Sequence, residues 1–257
     1  MEELGYGALW SSGGFEPGLA GRFERLLAAT RDVVVASGIV SIWAGAVDNV
    51  AGDFARLDAR YPGRFLLGLG ASHSAIVPGY RRPYTKMVGT LDDLDATGAV
   101  PRHRRVLAAL GPRMLALAAA RSAGAHPYFV PVEHTARARQ VVGHGPLLAP
   151  EVTVVLERDP TRARELARTF TAGYLGLPNY ANTLRSLGYG EEDVSGGGSD
   201  RLVDAVVAWG DLEAVADRVH AHRQAGADHV CVQVVAAEMT SFPLDAYRQL
   251  APALLGR

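Results

Sequence analysis

Cysteine is almost absent: this chain of 257 residues has one, Cys231. A single thiol excludes an internal disulfide and a cysteine-rich zinc site. Long apolar runs are missing as well. None reaches the roughly 18 consecutive residues that a membrane-spanning helix needs. Neither sign of charge is in excess, with Lys+Arg 26 against Asp+Glu 27 and a net charge of -1. No global basic field invites nucleic acid or a membrane surface, so neither is expected as a partner. Met1-Glu2-Glu3-Leu4-Gly5 is acidic and short, unlike a secretory leader, and the expected location is the cytoplasm. No Ser-His-Asp order and no nucleophile elbow occurs. His220 and His222 stand two apart on an expected helix and point in different directions, so no metal site is expected.

What is present is ordinary globular material. Hydrophobic residues make up 48% and charged residues 21%, enough to bury a large core. Short β-rich runs alternate with amphipathic ones. Strands are expected at Tyr6–Trp10, Val33–Val40, Arg64–Gly70, Val106–Leu110, Ala125–Val130, Glu151–Glu157 and around Cys231. Helices are expected between them, among them Asp48–Ala59, Thr85–Ala96, Pro112–Ser122, Leu212–Gln224 and Leu244–Leu255, and one over Asp200–Trp209. Repeated βα alternation implies an α/β fold with crossover helices. A (β/α)8 barrel takes about 250 residues, and a doubly wound sheet is the alternative. The count of seven strands is one short of eight, and the chain opens almost directly on a strand. Both point to a barrel lacking its first strand and helix. A single domain over 1–257 is expected, with an insert at about 176–199. Its run Ser195-Gly196-Gly197-Gly198-Ser199 reads as a flexible linker or as a mobile loop over a site.

Three strand ends carry possible chemistry. Val106-Leu107-Ala108-Ala109-Leu110-Gly111-Pro112 passes from strand to helix within three residues. Gly111 suits the N-cap and Pro112 the first helical position, where free N–H groups and the helix dipole favour an anion; an ordinary turn is the other reading. Gly68-Leu69-Gly70-Ala71-Ser72-His73 permits close approach of a flat ligand but is not a dinucleotide fingerprint. His73 suits a general acid or base, or a solvated loop histidine. In Ala36-Ser37-Gly38-Ile39-Val40 a glycine inside a buried strand marks a bulge or close backbone approach. Trp43 beyond it walls a pocket or simply packs. His126 ends a strand and faces the same pocket or none; His134 reads as a solvated cap. Cys231 reads as a small buried hydrophobe rather than a nucleophile.

Leu4-Gly5-Tyr6-Gly7-Ala8-Leu9-Trp10, Pro62 to Gly70, Val106 to Met114, Gly124-Ala125-His126-Pro127-Tyr128, Leu177-Pro178-Asn179-Tyr180 and Ala225 to Val234 together resemble the luciferase-like monooxygenase superfamily, nearest its coenzyme F420-dependent oxidoreductase branch of actinobacterial type. The resemblance implies a (β/α)8 barrel binding a deazaflavin or flavin at the C-terminal ends of its strands. It implies that the backbone of Ala108, Ala109, Leu110 and Gly111 cradles the cofactor phosphate. It implies that Gly38 and Ile39, joined by a cis peptide, support the ring, with Gly70, Ala71 and Ser72 beside it. His73 stands where a related enzyme class has a catalytic carboxylate. A homodimer and a small organic substrate are also implied. The chain departs from the family pattern in three places. The first βα unit is absent, Ser11-Ser12-Gly13-Gly14 carries no ionisable group, and Ala44-Gly45-Ala46-Val47 replaces an Arg and a Pro. The expected activity is hydride transfer between coenzyme F420 and the substrate. The alternatives are an FMN-dependent monooxygenase and a catalytically inactive cofactor-binding or dimer-partner subunit.

Overall fold

A computed structural model describes residues 1–13, 20–235 and 242–256. The chain contacts fall into two compact units: Met1–Ala109 with Arg113–His126, and Leu110–Pro112 with Pro127–Arg257. Each is built on parallel strands joined by helices.

The first unit runs β1 (Ala8–Ser11), α1 (Ala20–Ala28), β2 (Val34–Ser37), β3 (Val40–Ser41), α2 (Val47–Arg60), β4 (Phe65–Gly70), α3 (Pro83–Thr97), β5 (Arg105–Leu107), α4 (Pro112–Arg121) and β6 (Gly124–Ala125). Its strands lie in the order β1-β2-β4-β5-β6, with β3 also on β4, and these pairs are all parallel. Sequential parallel strands need crossover helices, and the apolar spacing supplies them. In α3, Met87, Thr90, Leu91 and Leu94 recur at helical spacing and are buried. Phe65 of β4 packs between Phe23 of α1 (5.2 Å) and Phe54 of α2 (5.9 Å). Polar groups tie the strand starts. Arg64 donates to the carbonyls of Leu27, Thr30 and Val33, occupying the open end of α1. The Glu2 carboxylate accepts from the N–H groups of Arg31, Asp32 and Val33, which hold its pKa down to about 2. Arg105 is fully buried in β5, bonded to Asp95 and to the Arg121 carbonyl.

The second unit continues with α5 (Val132–Val142), β7 (Leu147–Leu148), β8 (Glu151–Val155), α6 (Pro160–Leu175), α7 (Pro178–Ser186), α8 (Glu191–Val194), α9 (Asp200–Val206), β9 (Val207–Trp209), α10 (Leu212–Gln224), β10 (Cys231–Val234) and α11 (Leu244–Leu255). Here β8 lies between β10 and β9, parallel to both. Asp159 caps α6 and Asp211 caps α10, each accepting from a backbone N–H three residues on.

Most expected elements are found within two residues, and α10 and α11 at their expected bounds. Four differ for physical reasons. The helix expected over Asp200–Trp209 stops at Val206, and Val207–Trp209 is β9, because Val207, Ala208 and Trp209 pair with Thr153, Val154 and Val155. The strand expected over Val33–Val40 is divided at Gly38–Ile39 into β2 and β3. The strand expected over Ala125–Val130 is assigned only at Gly124–Ala125; Pro127 brings no N–H to a ladder, and Phe129 takes φ 56°. The segment read as linker or mobile loop is a packed connection. Gly198 has φ 105° and is buried, Thr171 donates to the Gly197 carbonyl and Arg168 to that of Gly198. No helix among the described residues is long and apolar enough to cross a membrane.

Candidate active site

The strand ends of the first unit bring together residues far apart in sequence. Ser37, the last residue of β2, accepts from the Gly68 N–H (2.7 Å) and donates to its carbonyl (3.0 Å). A side chain at Gly68 would overlap the Ser37 carbonyl oxygen, so β2 and β4 approach only because residue 68 is glycine. The Gly38–Ile39 peptide that follows is cis, as the resemblance implied. Gly38 donates to the Ser11 carbonyl (2.9 Å), and Gly13 donates to that of Ile39 (3.2 Å). The Ile39 side chain lies over Gly70: a Cβ there would sit 2.5 Å from Ile39 Cδ1 and 3.3 Å from the Ala108 Cβ. Ala108 itself donates to the Leu69 carbonyl. Gly38, Ile39 and Ala108 therefore meet over a buried Gly70 at the C-terminal ends of β2, β4 and β5.

One edge of this surface was only partly foreseen. Trp10 at the end of β1 stacks on His126 at the end of β6, with centroids 4.2 Å apart and planes at 19°. His126 is 3% exposed, and a Cβ on Gly38 would lie 3.4 Å from its Nε2 and 3.5 Å from the Trp10 ring. The signal for His126 was its place at a strand end. Trp10 offered only an apolar strand terminus.

The remaining expected residues are distributed along the flanking loops. Ala71 has its carbonyl held by Trp43 Nε1 (2.7 Å), and Ser72 takes φ 57°. His73 is half-buried, and its carbonyl receives the N–H groups of Ile76 and Val77 in a tight turn. Ala109 is buried. The connection from β5 to α4 continues through Leu110 and Gly111, which group with the second unit. The Gly111 N–H makes no hydrogen bond among the described residues, and the space where its Cβ would point is open. Gly14 of the Ser11–Gly14 loop lies outside the described residues.

His134 is not a solvated cap. It is 3% exposed, and its Nε2 meets the Leu110 carbonyl at 2.8 Å, while Nδ1 has no partner among the described residues. Burial holds its pKa below the usual imidazole range. His222 is also buried, its Nδ1 2.8 Å from the Thr135 hydroxyl; burial, with Arg218 and His134 nearby, lowers it to about 4. Cys231 lies in β10 in register with Glu151, and burial and that carboxyl push its thiol up, which disfavours the nucleophilic thiolate. Glu151 is 2% exposed. It accepts from the Thr153 hydroxyl and the Phe129 N–H, yet burial raises it to about 7. No group of three metal-ligating side chains occurs among the described residues.

Parallel strands joined by crossover helices, with close strand approaches at Gly68 and Gly70, define an α/β protein. The family model for luciferase-like monooxygenases matches residues 93–229, just over half of the chain, and the chain belongs to that family. No curated protein matches by sequence. Solved structures match along nearly its full length. An F420-dependent secondary alcohol dehydrogenase in complex with an F420-acetone adduct has a TM-score of 0.74 at 14% identity, covering 98% of this chain and 92% of that one. The coenzyme F420-dependent tetrahydromethanopterin reductase from Methanopyrus kandleri has 0.71 at 14%, covering 99% and 92%. The oxygenating constituent of 3,6-diketocamphane monooxygenase from Pseudomonas putida, in complex with FMN, has 0.66 at 16%, covering 97% and 87%. At these identities the likeness shows the fold, which is α/β of the luciferase-like TIM-barrel type.

Proposed function

We propose that the chain is an oxidoreductase that transfers a hydride between coenzyme F420 and a small organic substrate. One observation carries this reading: Gly38, Ile39 and Ala108 meet at the strand ends as a floor with few large side chains, Ile39 packed on Gly70, beside the Trp10–His126 pair. Such a floor fits the face of a fused-ring cofactor. The family membership and the F420-dependent proteins that share the fold support the choice of cofactor. The bound deazaflavin would supply a ring carbon that takes or gives a hydride. The chain supplies position, exclusion of water and a proton. Gly38, Ile39, Gly70, Ala71 and Ser72 support the ring. The backbone of Ala108, Ala109, Leu110 and Gly111, running into the N-terminus of α4, holds the phosphate. His134 steadies that segment through the Leu110 carbonyl. His73 is the proposed proton donor to the reduced substrate. A homodimer is part of the proposal, checked by light scattering.

The second reading is an FMN-dependent monooxygenase, favoured by the FMN complex that shares the fold. The same floor accepts either ring. Titration of the purified chain with oxidised F420 and, in parallel, FMN separates the two by cofactor fluorescence. Tight F420 binding with weak FMN binding supports the oxidoreductase; the reverse order replaces it with the monooxygenase. Binding without turnover across a substrate panel, unchanged in His73→Ala, would leave the non-catalytic subunit.

A further inference from the structure

In the connection from β5 to α4, one peptide group decides what the backbone offers a ligand. The Leu110–Gly111 peptide is trans, Gly38–Ile39 being the cis bond among the described residues. A trans peptide is flat, and its C=O and N–H point in opposite directions. Whatever holds the Leu110 carbonyl therefore aims the Gly111 N–H.

His134, near the start of α5, is 3% exposed, and its Nε2 lies 2.8 Å from the Leu110 carbonyl oxygen. A carbonyl can only accept, so Nε2 carries the proton. Nδ1 has no partner among the described residues. A second proton there would be a buried N–H with nothing to bond, and burial, with Arg137 adding to it, lowers the imidazole pKa. The ring is thus a neutral donor fixed on one acceptor. Thr135 beside it meets His222 Nδ1 of α10 at 2.8 Å, so the turn of α5 that presents His134 is itself pinned. Leu110–Pro112 group with the second unit, as α5 does, whereas Ala109 and Arg113 on either side group with the first. The His134 bond is a polar tie within that grouping.

At the other end of the same peptide, Gly111 is exposed, its N–H makes no hydrogen bond among the described residues, and the space where its Cβ would point is open. Pro112 follows and brings no N–H, so Gly111 supplies the last donor before the first turn of α4. Glycine also makes the peptide easy to turn over, because it tolerates the backbone angles of either orientation. Turned over, the peptide would present the Leu110 carbonyl oxygen, an acceptor that an anion cannot bond.

We infer that His134 is a positioning residue for the cofactor phosphate: by holding the Leu110 carbonyl, it keeps the Leu110–Gly111 peptide turned with its N–H towards the anion. It touches neither the phosphate nor the ring. The inference rests on the reading that a phosphate-bearing cofactor binds at this connection, and it applies alike to F420 and to FMN.

The test compares each cofactor with its phosphate-free form, F420 with its deazariboflavin core and FMN with riboflavin, by fluorescence titration. His134→Leu, or His134→Met where that variant does not fold, keeps an apolar side chain in place and removes the donor. It is expected to weaken the phosphate-bearing cofactor about tenfold or more and to leave the phosphate-free form within about twofold. His134→Gln, whose side-chain amide can donate in place of Nε2, should bind within about threefold of the parent. A general loss of packing would weaken both members of a pair equally. In 15N-glycine-labelled parent protein, the Gly111 amide signal, identified by its absence from Gly111→Ala, should shift further with the phosphate-bearing cofactor than with the phosphate-free form. If neither F420 nor FMN binds the parent, the cofactor reading fails and this inference fails with it. If a cofactor binds but the variant weakens it no more than its phosphate-free form, or the Gly111 signal responds equally to both, the cofactor reading stands and the role of His134 is overturned.

Discussion

His73 and Glu151 show how differently single residues contribute. His73 sits at a turn three residues beyond the glycine floor, and its proposed task is a proton transfer. General acid catalysis contributes about 10²–10⁴-fold. His73→Ala is therefore expected to lower kcat by about a hundredfold or more while leaving cofactor affinity within about twofold, measured by steady-state kinetics and fluorescence titration. Glu151 and His222 are buried titratable groups that act on stability with opposite signs. Glu151 rises from 4.5 to about 7 on folding, so its contribution is complete below pH 4.5 and is lost as pH climbs through 7. His222 falls from 6.5 to about 4, so its contribution is complete above pH 6.5 and is lost as pH drops through 4. Between pH 4.5 and 6.5 the two slopes oppose each other. Glu151→Gln should unmask the rise of stability with pH in that window, by up to about 3 kcal/mol in denaturant titrations run at each pH.

At the scale of elements, the close approach of β2 to β4 depends on a missing side chain. A Cβ at residue 68 would collide with the backbone of Ser37, which no rotamer change relieves. Gly68→Ala should destabilise the fold by about 3 kcal/mol or more and abolish cofactor binding with it, both seen in thermal melts with and without cofactor. The start of β2 is held in another way, by the Glu2 carboxylate on three consecutive N–H groups. Its pKa is lowered from 4.5 to about 2, so the stabilisation is complete above pH 4.5 and is lost as pH falls through 2. Glu2→Gln should melt below the parent at pH 7, and the gap should close towards pH 2, by calorimetry at each pH. The strands missed in the sequence are short ones. Val207–Trp209 follows α9 without a turn signal, and only pairing with β8 makes it a strand. β3 and β7 have two residues each, below what periodicity detects.

For the whole molecule, the proposed function turns on which cofactor the native state prefers. A ligand that binds only the folded protein raises its stability by RT ln(1 + [L]/Kd), about 2.7 kcal/mol at a hundredfold excess over Kd. Saturating F420 is expected to raise the melting temperature by several degrees and equimolar FMN by less, measured by scanning calorimetry. A larger shift with FMN would favour the monooxygenase.

Composition, strand–helix alternation and glycine placement were legible in the sequence, and so were α/β class, most element positions and the close strand approaches at the glycines. These depend on local propensity and period, which a linear pattern carries. The bend at Gly38–Ile39 was legible because a glycine interrupts a β-branched run. Only the tertiary structure decided that Ile39 covers Gly70, that Trp10 stacks on His126, and that His134 is buried beneath the Leu110 carbonyl. Each of these pairs residues separated by 24 or more positions, or turns a polar side chain inward. Such contacts arise from strand register and helix packing, and no local propensity encodes them.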